Sequence, residues 1–349
     1  MNSNTVAAEL PGSALTPGSA LTDQGVSMAL QDRIETDSPS PATASVRVAI
    51  LLGTVNGEQF IEQQLQSFAA QTHRNWVLYV SDDGSQDRTL AIVREFAQRV
   101  GGDRVQIRQG PRKGFAANFL AMACDPSIDA DYFAFSDQDD VWLPKKIERA
   151  LEHLQELSAS RSGLYGGRTR YVDVHNRDLG LSPQYRRAPD FRNAMVQSIM
   201  GGNTMVLNRQ ARSIVMAAGP LQVVAHDWWF YQLISGCGGF VFYDPEPMVL
   251  YRQHSDNVIG SNTGIKALWY RSTEMIRGRF ARWNSLNMVA MLQVAPLLLQ
   301  ENRAALEAMA QGRGAGVTQR IKALRTAGAF RQTGLGNAGL WFAALMNRL

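Results

Sequence analysis

Residues 46–53 read VRVAILLG and residues 76–85 read WVLYVSDDGS. Both are short, β-branched apolar runs that stop at glycine or polar residues, the pattern of strands buried on both faces of a parallel sheet. Between them Phe60, Ile61, Leu65 and Phe68 recur near helical spacing over residues 58–70, so the order is strand, helix, strand. The pattern repeats with a helix over 88–100, a strand at 105–108, a helix from about Phe115 and a strand at 132–135. This alternation predicts an α/β fold with a mostly parallel sheet flanked by helices. A helix is expected from Leu143-Pro144 to about Ser158, followed by mixed segments. These include strand-like runs at 171–174, 204–207 and 249–252 and a turn at Gly201-Gly202.

Open α/β sheets bind ligands beyond the carboxyl ends of their strands. Here those ends carry Thr54 and Asn56, then Asp82 and Asp83, then Asp137, Asp139 and Asp140. The sharpest signal is FSDQDDVW at 135–142, where three carboxylates crowd a strand end just before a helix. Such crowding is costly unless a cation compensates it, and hard oxygen ligands at this spacing suit Mg²⁺ or Mn²⁺. Taken alone, the motif also fits a solvated acidic loop, or Asp140 capping the next helix. Asp82-Asp83-Gly84-Ser85 could read a base or a ribose, and is equally ordinary turn chemistry.

The ordered set Gly53 to Glu58, Ser81 to Ser85, Lys113-Gly114 with Asn118, Asp137 to Trp142, His226-Asp227-Trp228-Trp229, and Tyr251-Arg252-Gln253-His254 with Asn257 resembles the family 2 glycosyltransferases of the GT-A fold, within them the rhamnosyltransferase-like branch. The resemblance covers roughly residues 46–260. It implies a donor pocket of Thr54, Val55, Glu58, Asp82, Asp83, Lys113, Asn118, Asp137, Gln138 and Arg252, with Asp83 on the base. It implies a divalent ion, Mn²⁺ or Mg²⁺, held by Asp137, Asp139 and His254, and an acceptor side formed by Trp142, Gly201, Gly202, Asn203, His226 and Trp228. Asp227 matches the general base, which inversion requires opposite the departing diphosphate. As alternatives, Asp227 is also placed to cap a helix before a buried Trp pair, and His254 to pack in a core. Many relatives carry an aromatic residue where this chain has Val55. The implied partners are a nucleotide-diphosphate sugar, dTDP-L-rhamnose by this likeness, and a saccharide or lipid-linked saccharide acceptor in O-antigen or related polysaccharide synthesis.

With 349 residues, 45% hydrophobic and 19% charged, the chain has globular composition. Residues 1–45 are rich in Ser, Thr, Ala, Pro and Gly, repeat GSALT, and read as a disordered tail. No basic stretch leading into an apolar core opens the sequence, and no run of about 18 apolar residues appears, so neither a secretory leader nor a membrane span is expected. Cys124 and Cys237 lack metal-site spacing, consistent with a reducing cytoplasm. From Lys266 onward 12 Lys/Arg face 3 Asp/Glu. Residues 261–349 are therefore expected to form a basic amphipathic helical extension, either packed as a subdomain or resting on the inner face of an anionic membrane. The sequence also bears on two other function classes. A nucleotidyltransferase would want a Gly-rich Lys/Arg phosphate loop after the first strand, where Gly53 to Glu58 stands instead. A nucleic-acid-binding role would rest on the basic end alone, without an aromatic RNA-binding pattern or zinc module, and no nucleic-acid partner is expected.

Overall fold

A computed structural model describes residues 46–254 and 279–348. The expected tail at 1–45, Asn257 and the start of the expected helical extension, residues 261–278, lie outside the described residues.

Eleven strands are described: β1 (Val48–Thr54), β2 (Trp76–Asp82), β3 (Val105–Gln109), β4 (Tyr132–Ser136), β5 (Val141–Trp142), β6 (Gly163–Gly167), β7 (Arg170–Val172), β8 (Asp178–Leu181), β9 (Val206–Asn208), β10 (Phe240–Asp244) and β11 (Val249–Arg252). The helices are α1 (Ile61–Ala69), α2 (Thr89–Val100), α3 (Phe115–Cys124), α4 (Lys146–Gln155), α5 (Phe191–Ala194), α6 (Arg209–Ala218), α7 (His226–Gly236), α8 (Arg279–Gln293), α9 (Gln300–Gly312), α10 (Val317–Ala327) and α11 (Gly334–Leu345). Seven strands form one sheet in the order β10-β6-β9-β4-β1-β2-β3, and four form a smaller sheet, β5-β11-β7-β8. β1 pairs parallel with β2 and β4, β2 with β3, and β6 with β10, while β9 runs antiparallel to both β4 and β6. The reversed β9 therefore starts at the rim where its neighbours end, which brings the Gly201–Thr204 turn beside the strand-end carboxylates.

β1 shows why a fully apolar run suits a central strand. Its alternate residues Val48, Ile50 and Leu52 pack with Leu65 and Phe68 of α1, Phe96 of α2 and Leu151 of α4. Ala49 and Leu51 face Phe119 of α3, Phe133 of β4 and Phe230 of α7. Strand side chains alternate faces, so the single run feeds both cores, each large apolar residue contributing about 1.5–3 kcal/mol. Met288 of α8, Leu306 of α9, Leu324 of α10 and Leu340 of α11 join the second of these clusters. The C-terminal helices thus share a core with the sheet.

Candidate active site

A cleft of about 730 Å³ opens at the carboxyl rim of the large sheet. Asp83, Asp137, Asp139 and Asp227 all line it, as do Thr54, Val55, Asn118, Gln138, the Gly201–Asn203 turn, His226 and His254. Three stretches far apart in sequence therefore deliver four carboxylates to one cavity.

The end of the cleft beside β1 is built around one side-chain amide. The Gln138 Oε1 accepts from the Thr54 hydroxyl at 2.6 Å and the Val55 N–H at 2.9 Å, while its Nε2 donates to the Val55 carbonyl at 3.0 Å. This amide locks the loop after β1 to the carboxylate loop, and Gly57 leaves room for it, since a Cβ there would lie 2.3 Å from Gln138 Oε1. Asp82 holds its own turn through the N–H groups of Gly84 and Ser85. Asp83 accepts from the N–H groups of Arg112, at 2.7 Å, and Gly114, at 3.2 Å, fixing the loop before α3 against the cleft. Asn118 lines the cleft, but its amide is engaged with the hydroxyl and carbonyl of Ser81.

The carboxylate loop is crowded. Asp139 points its Oδ2 to His254 Nε2 at 2.8 Å. Burial, then the charges of Asp139 and Asp227, push the Asp137 carboxyl up to about 8. Asp140 is fully buried and turns away from the cleft. Its Oδ2 accepts from Asn203 Nδ2 at 2.5 Å and its Oδ1 from the Arg252 N–H at 3.3 Å. Burial and the neighbouring Asp139 and Asp137 raise its pKa well above the usual range, against those two hydrogen bonds. Asp140 is thus neither a solvated loop residue nor the cap of α4.

Opposite stands Asp227, in the first turn of α7. It accepts from the Trp228 N–H at 2.6 Å and from the backbone of Gly202. Burial outweighs these bonds and pushes its carboxyl up to about 6, so it is poised to hold or release a proton near neutrality. Ala225, not Asp227, occupies the cap position. His226 is buried in a box of phenyl rings, its ring centroid 4.0 Å from that of Phe119. Neither ring nitrogen has a hydrogen-bond partner among the described residues, and burial pushes its pKa down to about 3, so the imidazole is neutral.

Several residues implied by the family pattern do not line the cleft. Arg252 is fully buried and spends its guanidinium on the Asp139 carbonyl, Gln63 and Asn176, so it braces the carboxylate loop instead of facing a diphosphate. Trp142 points into the core against Phe68, because β5 alternates and its register with Val249 of β11 turns it inward. Trp228 is buried and donates its indole N–H to the Ala194 carbonyl. Glu58 accepts from the Arg88 N–H ahead of α2, and Lys113 is exposed outside the cavity. Conversely, Phe60, Phe115, Tyr171, Tyr185 and Tyr251 line the cleft, although the sequence pattern assigns none of them to a site. Tyr251 could have been found, since it opens the Tyr-Arg-Gln-His phrase.

Among the described residues no three His, Cys, Asp or Glu side chains converge as a ready-made metal cage. Asp137, Asp139 and His254 do not form such a cage, although Asp139 and His254 touch. What is present is an open pair, Asp139 with His254, beside an Asp137 whose pKa is raised first by burial and then by the charges of Asp139 and Asp227. A Mg²⁺ or Mn²⁺ ion, which binds through one or two carboxylates and completes its shell with water and phosphate oxygens, fits that arrangement.

The sequence matches the profile of glycosyl transferase family 2 over residues 49–212. It is 29% identical over 241 residues to the dTDP-rhamnosyl transferase RfbG of Shigella flexneri, covering 66% of this chain and 81% of that protein. It is 28% identical over 236 residues to the uncharacterized glycosyltransferase RT0329 of Rickettsia typhi, covering 65% and 69%. In fold it is similar to the mannosyltransferase PcManGT of Pyrobaculum calidifontis, solved with GDP-Man and Mn²⁺, with a TM-score of 0.52 and 16% identity over 89% of this chain and 88% of that one. The α/β architecture with its mostly parallel sheet is therefore the GT-A fold, and residues 49–212 carry the match to glycosyl transferase family 2.

Proposed function

We propose that the chain transfers a sugar from a nucleoside diphosphate to a saccharide hydroxyl by single displacement, with inversion at the anomeric carbon. One observation carries this reading: Asp227 faces the Asp137–Asp139 loop across one cleft, close enough for its charge to raise the Asp137 pKa. Inversion needs a base on the face of the sugar opposite the leaving group, and the two acidic walls supply those two sides. The Asp227 carboxylate takes the proton of the attacking hydroxyl as the new bond to the anomeric carbon forms and the bond to the diphosphate oxygen breaks. The N–H groups of Trp228 and Gly202 hold that carboxylate in place. Asp83, with lone pairs left after its two backbone bonds, receives an N–H of the base, and Thr54, Val55 and Gln138 form the floor beneath it. Asp139 and His254, with Asp137 beside them, would hold a Mn²⁺ or Mg²⁺ ion, which neutralises charge on the departing diphosphate. The Gly201–Asn203 turn and neutral His226 border the acceptor.

The donor is taken to be dTDP-L-rhamnose, supported by the likeness to RfbG, and the acceptor a lipid-linked saccharide of O-antigen or other surface-polysaccharide assembly, met at the cytoplasmic face of the inner membrane. A UDP- or GDP-sugar donor is the second reading. A panel of nucleotide sugars assayed with purified chain and manganese or magnesium tests the donor. Turnover with UDP- or GDP-sugars and none with dTDP-rhamnose overturns it and leaves the reaction class standing, whereas no transfer from any donor sinks the reading as a whole.

A further inference from the structure

The helix α11 reads GLGNAGLWFAAL and contains no charged residue. One side, Leu340, Ala343 and Ala344, is buried in the molecule. On the other side Leu335 is 69% exposed, Phe342 47%, Leu345 49% and the adjoining Met346 58%. At about 100° per residue these four fall within one arc of roughly 100°, facing away from the buried one. A helix that is apolar on both faces belongs in low-dielectric surroundings on both, and a contiguous apolar ridge left in water marks a docking surface.

Charge decides what docks there. Residues 308–349 contain six Arg/Lys and no Asp or Glu. Lys322 and Arg325 stand exposed on α10, Arg348 follows the ridge, and the Arg325 guanidinium lies 6.0 Å from the Trp341 ring of α11. A second copy placed face to face would set cations against cations. Nucleic acid would engage the cations and leave the ridge in water. A bilayer with anionic headgroups satisfies both, with phosphates for the guanidinium groups and the acyl boundary for Leu335, Phe342 and Leu345.

We propose that the α10–α11 face docks on an anionic lipid bilayer, with α11 lying in the plane of the interface. No described helix is long and apolar enough to cross a membrane, so the contact is peripheral through these residues. The inference deepens the membrane contact in the reading above and rests on that part alone, since its readout needs no catalysis.

The test is flotation of the full chain with vesicles of phosphatidylglycerol and phosphatidylcholine, against vesicles of phosphatidylcholine alone. Binding is expected to the anionic vesicles and to weaken at about 0.5 M salt. The double variant L335S/F342S should lower partition about tenfold, as the apolar area that inserts is lost. K322Q/R325Q, on exposed positions that cannot unfold the core, should also lower it about tenfold on anionic vesicles, with little change on neutral ones. Wild-type partition by both variants overturns the proposal. So does a concentration-dependent dimer that L335S/F342S abolishes while no vesicle is bound, which would assign the ridge to a second copy. Sugar transfer to a soluble acceptor, measured in the same preparations, should be unchanged in both variants. Its absence from the wild-type chain despite vesicle binding sinks the catalytic reading and leaves this one intact.

Discussion

Exchanging Asp140 and Asn203 tests whether the third carboxylate of the DQDD motif positions the site instead of binding metal. Asp140 joins the carboxylate loop to the turn that supports Asp227, through Asn203, and to Arg252, which in turn donates to the Asp139 carbonyl at 2.9 Å. In D140N the new amide keeps the Arg252 N–H with its oxygen, and its NH₂ then meets the NH₂ of Asn203. A buried donor left facing a donor costs about 1–3 kcal/mol. Lys146, fully buried with its ammonium 3.5 Å from the Trp142 ring and its pKa pushed down to about 7 by burial, also loses the opposing influence of the Asp140 charge. The expected loss is roughly 2–4 kcal/mol, seen as about 4–10 °C in Tm for a chain of this size. Slack between the two walls should lower kcat about 10–100-fold. N203D alone sets two carboxylates together in the core and should be worse. In D140N/N203D each group has a partner again, so a coupling of about 1–3 kcal/mol should return in both stability and kcat. The assays are thermal unfolding and steady-state kinetics on all four proteins, with nucleotide binding in the presence of Mn²⁺. Additive effects within about 0.5 kcal/mol refute the linkage. Loss of Mn²⁺-dependent nucleotide binding in D140N would instead make Asp140 a ligand.

Asp227→Asn should keep nucleotide affinity and lose about 10²–10⁴-fold in kcat, and isothermal titration beside a transfer assay separates the two. Because the base works deprotonated and burial raises its pKa to about 6, kcat/KM should climb as pH rises through about 6 and fall below it, and a flat profile from about pH 5 to 8 would contradict the assignment. Asp139→Ala, like chelation of the wild-type chain, should abolish metal-dependent donor binding while leaving the fold intact by circular dichroism. Gly202→Ala places a Cβ 2.2 Å from His226 Nε2 inside a closed phenyl box, so it should cost about 1–3 kcal/mol and raise the acceptor KM; wild-type stability would show that the imidazole is free to move.

Much of this protein was written in local pattern. Strand-length apolar runs ending in polar residues marked β1 to β4, and the helical spacings between them marked α1 to α3, because a central parallel strand must be apolar on both faces and a flanking helix on one. β6 escaped notice, since GLYGG carries little apolar periodicity and is a strand only because β9 and β10 pair with it on either side. The reversal of β9, which brings the Gly201–Asn203 turn to the carboxylate rim, depends on long-range pairing that no local run encodes.

The same division holds at the site. The strand-end position drew attention to Asp83 and Asp139, the family resemblance added Asp227, and all three line one cleft in the structure. Side-chain direction was decided by the tertiary structure. β5 alternation buried Trp142, a ring of protein acceptors captured Arg252, and Asn203 drew Asp140 inward from a motif whose three carboxylates look equivalent in sequence. A linear chain specifies which groups are available. Which of them face the cleft is settled only when distant segments compete for the same buried hydrogen bonds and the same space.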